Sequence, residues 1–168
     1  MGAYLARLPE GKAAMSEIQP RISAAMKTAM KERDQRTLGT LRLVSAAMKD
    51  RTIAMRGDGE ERELTDDDVI GILAKMVKQR RESVRAYEEG GRLELAADEE
   101  AEIAVIERFL PKPLTEDEAA AAVDGAIAET GATSLRDMGK VMAALKARHA
   151  GRMDFGAVGP MVKTRLSA

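Results

Sequence analysis

The sequence contains no cysteine and no tryptophan, and its aromatic residues are two Tyr and two Phe. Without cysteine the chain forms no disulfide, has no thiolate nucleophile and binds no metal through thiolates. The one histidine, His149, argues against a metal site built on several imidazoles. We therefore expect neither a metal nor a cofactor, and we expect an aliphatic core in which the eleven methionines fill irregular gaps.

Long apolar runs are also missing. No run approaches the roughly 20 residues that a membrane-spanning helix needs, and the chain does not open with a signal-peptide pattern. We therefore expect a cytoplasmic protein without a membrane segment. Its 168 residues are enough for one domain or two small ones.

What is abundant is Ala, Leu, Glu and Arg, a composition that favours helices, so the predicted fold class is all-α. Apolar residues three or four apart predict a helix from Ile18 with Met30 on its buried face, behind a capping box over 16–19. The same periodicity predicts a second helix over 35–55, which ends at the glycines that follow it.

A helical hairpin is predicted next. Thr65 is expected to cap a helix whose first turn carries the acidic residues 66–68, close to the positive end of the helix dipole. After Gly90-Gly91 a return helix is predicted, with Leu95 and Leu110 among the residues on its apolar face. The pair forms an antiparallel hairpin.

Two prolines, Pro111 and Pro113, cannot lie inside a continuing helix and predict a domain boundary at 111–114. The predicted parts are a peripheral N-terminal extension, an N-terminal helical domain that contains the hairpin, and a small three-helix domain: 1–15, 16–112 and 113–168. The three helices of the last part are expected at 116–129, behind the capping-box spacing of Thr115 and Glu118, at 134–149 and in a segment that ends near Leu166. In that last segment Pro160 predicts a kink, or a helix that restarts at the proline.

Basic residues collect near the C-terminus, in residues 134–168, which we call the tail. From Arg136 to Ala168 the chain has seven Lys or Arg and two Asp, a net charge of +5, whereas the whole chain carries −1. An acidic body with a basic tail indicates an anionic partner. On the predicted helix 134–149 the apolar side is opposite a smooth strip of small residues, Gly139, Ala143 and Ala147.

The strip and the tail cations together form the candidate RNA-binding surface. Each single cation is equally well explained as solvated helix surface, but as a cluster beside the strip they favour contact with a ligand. The glycine costs helix stability of up to about 1 kcal/mol, so it should permit the close approach of another helix or of a nucleic-acid backbone. The candidate residues are Arg136, Gly139, Lys140, Lys146, Arg148, Arg152 and Lys163.

A second basic surface is predicted on the third helix, at Lys75, Lys78, Arg80, Arg81 and Arg85. We favour the interpretation that the stems of Arg80 and Arg81 cover the core while their heads pair with the return helix. The expected partners are Asp98, Glu99 or Glu102, and anion binding is the alternative. His149 is interpreted as structural rather than catalytic, since no serine and third orienting group can be placed beside it.

Several short motifs carry a family resemblance. Gly139-Lys140-Val141-Met142, Gly151-Arg152 and Val162-Lys163 resemble the C-terminal tail of GatB, a subunit of the glutamine-dependent amidotransferase that corrects misacylated tRNA. From about Ile18 onward the chain resembles the YqeY-like proteins, which join such a tail to a helical N-terminal domain. The further motifs of that resemblance are Leu41-Arg42-Leu43, the segment 78–83 and Phe109-Leu110-Pro111-Lys112.

The resemblance implies a tRNA-binding accessory protein, linked by family to glutamine-dependent carbon–nitrogen ligation but without a self-contained active site. The implied partners are tRNA or another folded RNA, and amidotransferase or aminoacyl-tRNA machinery. An interaction adaptor, whose strip accepts a partner helix, is the alternative. A stand-alone enzyme that uses scattered carboxylates is a third and weaker alternative, because paired Glu residues are so common on these helices that nothing selects one pair. Salt separates the first two, since phosphate binding weakens steeply with ionic strength.

Overall fold

The computed structural model describes residues 16–168, and every regular element in that range is helical, which confirms the all-α prediction. The predicted extension 1–15 lies outside the described residues. The elements in chain order are α1 (Ile18–Glu32), α2 (Gln35–Gly57), α3 (Asp66–Glu89), α4 (Leu93–Glu107), α5 (Glu116–Thr130), a short 3-10 turn (Leu135–Asp137), α6 (Met138–His149) and α7 (Phe155–Ser167).

The first four helices share one apolar core. The α3–α4 hairpin packs on α2, and α1 packs on α2 and α3, so that Leu41, Leu73 and Ile106 are completely buried. Two residues that were predicted on buried faces are exposed instead: Met30 is 59% exposed and Leu95 is 37% exposed. In both helices a neighbouring alanine faces the core in their place, and for Met30 the cause is its position about 80° around the helix from Ile22 at 100° per residue.

The start of α1 is held by an acidic residue from the start of α3. One oxygen of Asp66 accepts hydrogen bonds from the Ser16 hydroxyl at 2.7 Å, the Glu17 amide at 2.8 Å and the Ile18 amide at 3.1 Å. The Ser16 hydroxyl in turn accepts from the Gln19 amide, which forms one half of the predicted capping box. Asp66 thus satisfies the free amides of a helix that begins 48 residues earlier in the sequence.

Replacing Asp66 by alanine should therefore destabilise the protein by about 1–2 kcal/mol, the usual cost of losing a helix cap. Asp67→Ala is the matched control, because Asp67 is adjacent and exposed. It should change stability by no more than about 0.5 kcal/mol. Urea unfolding of both variants measures the difference, and equal losses would show that Asp66 acts only through its charge at the start of α3.

The same hydrogen bonds give stability a pH dependence. The Ser16 hydroxyl lowers the pKa of Asp66, and the Arg62 guanidinium lowers the pKa of Asp68 to about 2. Because these carboxyl pKa values are lower in the folded protein than in the unfolded chain, their stabilising effect is complete above about pH 5 and is lost as the pH falls through the folded-state pKa, which for Asp68 is about 2. The difference between wild type and Asp66→Ala should shrink as the pH falls from about 5 through the lowered pKa of Asp66.

Helices α5, α6 and α7 enclose a second apolar cluster, with Val123, Val141 and Val162 fully buried. The predicted capping box is present at Thr115 and Glu118, which opens α5. The expected restart at Pro160 is wrong, because α7 already begins at Phe155 and continues through the proline. Asp154 caps that earlier start by accepting a hydrogen bond from the Gly156 amide. Pro160 lies inside α7 without an amide to donate, and the alternative expectation, a kink at this residue, stays a prediction.

Within residues 16–168 no helix of the group α1–α4 packs against α5, α6 or α7. The two apolar clusters likewise consist of residues 18–109 and 123–166. Segments outside the helices connect the two groups, and the division into 16–112 and 113–168 stays a prediction. This connection positions the tail, and it includes hydrogen bonds between Arg152 and the segment 112–114.

Candidate nucleic-acid interface

Helix α6 presents the strip of small residues to solvent. Val141 and Leu145 are buried on its inner side, and Gly139, Ala143 and Ala147 are exposed on the outer side. A Cβ atom added at Gly139 would meet no other atom within 4 Å. In the described part of the chain, therefore, no other helix approaches this glycine, and a close approach would have to come from an external partner, either a helix or a nucleic-acid backbone.

Four tail cations are exposed, one in the 3-10 turn, two in α6 and one in α7: Arg136, Lys140, Lys146 and Lys163. Lys140 has only a long contact of 4.0 Å with Asp137, and its side chain is 73% exposed. The Lys146 ammonium lies 5.9 Å from the centre of the Phe155 ring. Arg136 and Lys163 form no ion pair with any residue of 16–168. These positive charges are accessible to a ligand.

Helix α5 neutralises another part of the tail charge. Arg148 pairs with Glu129 at 2.5 Å, and Arg165 pairs with Asp124. Residues 113–168 contain seven Lys or Arg and seven Asp or Glu, so their net charge is zero. The +5 counted from Arg136 onward omitted the acidic helix that packs directly on α6 and α7.

Arg152 belongs to a joint between the tail and the chain before α5. Its Nε donates a hydrogen bond to the Lys112 carbonyl at 2.9 Å, and its own carbonyl accepts one from the Leu114 amide at 2.8 Å. The preceding Gly151 has φ +73°, and a Cβ there would come within 2.4 Å of the Ile70 Cγ2 atom. We call these contacts of Gly151 and Arg152 the joint. They give Arg152 a structural task besides its candidate role in binding.

The second basic surface divides into paired and unpaired cations. Arg80 bonds Glu102 at 2.8 Å with its side chain only 13% exposed, which confirms the pairing interpretation for this residue. Arg81 pairs with Glu107, one turn beyond the expected partners. Asp98 is bound by Arg36 of α2 instead. The remaining members, Lys75, Lys78 and Arg85, are exposed.

His149 lies in the last turn of α6, and its Nδ1 is buried without a hydrogen-bond partner among the described residues. A catalytic histidine needs a hydrogen-bonded orienting group, and that arrangement is not formed here. No group of three or more His, Asp or Glu between residues 16 and 168 is placed to share a metal ion. None of α1 to α7 combines the length and apolar character that a bilayer crossing requires.

The exposed side of α6 could be predicted from the sequence by its apolar periodicity. Which tail cations are engaged in internal contacts could not be predicted. The ion pairs of Arg148 and Arg165 and the hydrogen bonds of Arg152 depend on contacts between segments. A charge count that included α5 would have shown the neutral total of residues 113–168.

Comparison with known proteins agrees with this architecture. The sequence profile of the family described as Yqey-like protein matches residues 19–166. The uncharacterized protein C22F3.15 of Schizosaccharomyces pombe is 38% identical over 48 residues, which are 29% of this chain and 39% of the length of the yeast protein. Since the family profile extends over nearly all of the described residues, the chain belongs to the Yqey-like protein family.

Proposed function

We propose that this protein binds the folded body of tRNA in the cytoplasm, through the phosphates of the RNA, and has no catalytic role of its own. The exposed cations Arg136, Lys140, Lys146 and Lys163 carry the contact. The single observation behind the proposal is the open outer side of α6, where small side chains leave room for a nucleic-acid backbone between accessible positive charges.

Phosphate contacts fit this surface better than base recognition does. Lysine and arginine suffice for phosphates, whereas reading RNA bases usually requires aromatic side chains on which unpaired bases stack. The tail has one aromatic residue, Phe155. Its ring centre lies 5.9 Å from the Lys146 ammonium, and its partly buried side chain packs against the apolar cluster of α5, α6 and α7. Recognition by shape and backbone therefore suits a folded RNA such as tRNA.

The choice of tRNA among folded RNAs rests on the similarity of Gly139-Lys140-Val141-Met142 to the GatB tail. In such an arrangement the tail holds the RNA while chemistry takes place on another protein. The proposal accordingly links this chain to glutamine-dependent amidotransferases as an accessory protein.

Titration of labelled tRNA at several salt concentrations tests the proposal. The logarithm of the association constant should fall linearly with the logarithm of the salt concentration, by roughly 0.7–0.9 units for each neutralised phosphate. The four tail contacts alone should contribute about −3 to this slope. Affinity independent of salt, or no binding, would contradict the proposal.

The exposed strip supports a second candidate, an adaptor that accepts a partner helix. Small residues allow two helix backbones to approach closely, and the neighbouring Leu135 is 47% exposed. Gly139→Leu tests the strip under both candidates. The leucine enters open space, so the fold should stay stable and even gain helix propensity, while binding of either partner should weaken. Salt separates the candidates, because RNA binding should weaken steeply with ionic strength and helix docking should not.

A further inference from the structure

A second concentration of positive charge lies on the pair of helices α1 and α2, and it equals the +5 counted from Arg136 onward. Residues 17–57 contain nine Lys or Arg and four Asp or Glu, a net charge of +5. Residues 58–112, which include α3 and α4, carry nine Lys or Arg against sixteen Asp or Glu, a net charge of −7. The N-terminal helices are therefore divided into a basic side and an acidic side.

The charge of α1 and α2 is not neutralised internally in the way the tail charge is. Of the nine cations only Arg36 forms an ion pair within residues 16–168, with Asp98. Arg21 lies over the Phe109 ring and donates to the Arg108 carbonyl. The other seven are all exposed: Lys27, Lys31, Arg33, Arg42, Lys49, Arg51 and Arg56.

Three of these cations form a straight row on α2. Arg42, Lys49 and Arg56 are each seven residues apart, a spacing that advances about 10.5 Å along a helix and drifts only about 20° around it. The row, which we call the α2 stripe, thus extends over about 21 Å within a sector of about 40°. The one acidic residue of α2, Asp50, lies about 100° around the helix from Lys49.

An ordinary solvated helix surface mixes both signs of charge, and α2 departs from that pattern with five cations to one anion. An exposed apolar side chain also lies beside the stripe, because Ile53 between Lys49 and Arg56 is 65% exposed. Evenly spaced cations with small or apolar residues between them suit a ligand whose own charges repeat along a line. A phosphate backbone is such a ligand.

We propose that the α2 stripe is a second phosphate-binding surface for the same folded RNA. The inference rests on the proposed function for the identity of the RNA, and it adds a contact that lies in α1–α4 rather than in the tail. Since α2 does not pack on any tail helix, an RNA that touches both surfaces bridges the two groups of helices, and the joint fixes their spacing.

The test compares variants of the full chain in tRNA titrations over a range of salt concentrations. The triple variant Arg42→Ala, Lys49→Ala, Arg56→Ala should lower the salt slope by about two to three units, one contact for each cation. Arg42→Lys with Arg56→Lys keeps the charges and should bind within about twofold of wild type, because phosphate contacts depend on charge more than on fork geometry. All three positions are exposed, so thermal melting of the triple variant should match wild type.

A control removes three exposed cations from α3 instead, in the variant Lys75→Ala, Lys78→Ala, Arg85→Ala. A slope that falls equally in this control would overturn the inference, since only net charge would matter. An α2 variant with the affinity and slope of wild type would also overturn it. The proposed function fails separately, when the corresponding tail variant leaves tRNA binding unchanged.

Discussion

Gly151→Ala should open the joint between the tail and the N-terminal helices, and should cost about 1–2 kcal/mol of stability because a side chain is disfavoured in the left-handed region. Gly151 has φ +73°, and its new Cβ would lie 2.4 Å from the Ile70 Cγ2 atom and 3.4 Å from the Leu110 Cδ2 atom. No helix of α1–α4 packs on α5–α7, so the clash is relieved most easily when the loop moves away from Ile70.

Limited trypsin digestion measures this opening. Cleavage after Arg152 should accelerate, because the side chain loses its bond to the Lys112 carbonyl when the joint opens. Gly131→Ala is the matched control: it has φ +65° and no atom within 4 Å of the new Cβ. It should show a similar loss of stability without faster cleavage at Arg152.

Removing the atom that Gly151→Ala would strike should reverse the effect. In the double variant Gly151→Ala, Ile70→Ala the Cγ2 atom is absent, and cleavage after Arg152 should slow towards the rate of Ile70→Ala alone. If cleavage in the double variant remained as fast as in Gly151→Ala, backbone strain rather than the contact with Ile70 would be responsible for the opening.

The second large effect is expected in the tail. The triple variant Arg136→Ala, Lys140→Ala, Lys163→Ala removes three exposed cations and should weaken binding to different tRNA species almost equally, by at least about tenfold at low salt. Its salt slope should fall by about two to three units. Arg152 is excluded from the variant because its replacement would also disturb the joint.

The α3 variant at Lys75, Lys78 and Arg85 serves as the control here as well, since it loses the same number of exposed cations. Its slope should remain close to that of wild type. A tail variant that binds like wild type would favour the helix-docking adaptor. A loss confined to one tRNA species would show that bases, and not phosphates, are recognised.

The helices could be predicted from the sequence because their signals are local. Apolar periodicity predicted α2, and the Thr65 and Thr115 caps set the starts of their helices through residues three positions away. The restart expected at Pro160 was wrong, because the Asp154 cap six residues before the proline already starts α7. A local rule fails where two local signals compete.

The contacts that position the surface could not be predicted, because they join distant segments. Asp66 was assigned to its own helix, yet it caps α1. Arg148 was grouped with the ligand contacts, and its partner Glu129 is reached only when α5 packs on α6. The charge of α1 and α2, by contrast, follows from the sequence alone, because it needs no contact between distant segments.

The central claim is that the outer side of α6 lies against tRNA, and site-specific photo-cross-linking tests it most directly. A photoreactive side chain at Ala143, which is exposed in the middle of the strip, should cross-link to tRNA with a yield that falls as salt rises. The same group at Ala121, exposed on the acidic helix α5, is the control and should give little cross-linking. Equal yields at the two positions, or no cross-link from Ala143, would contradict the account.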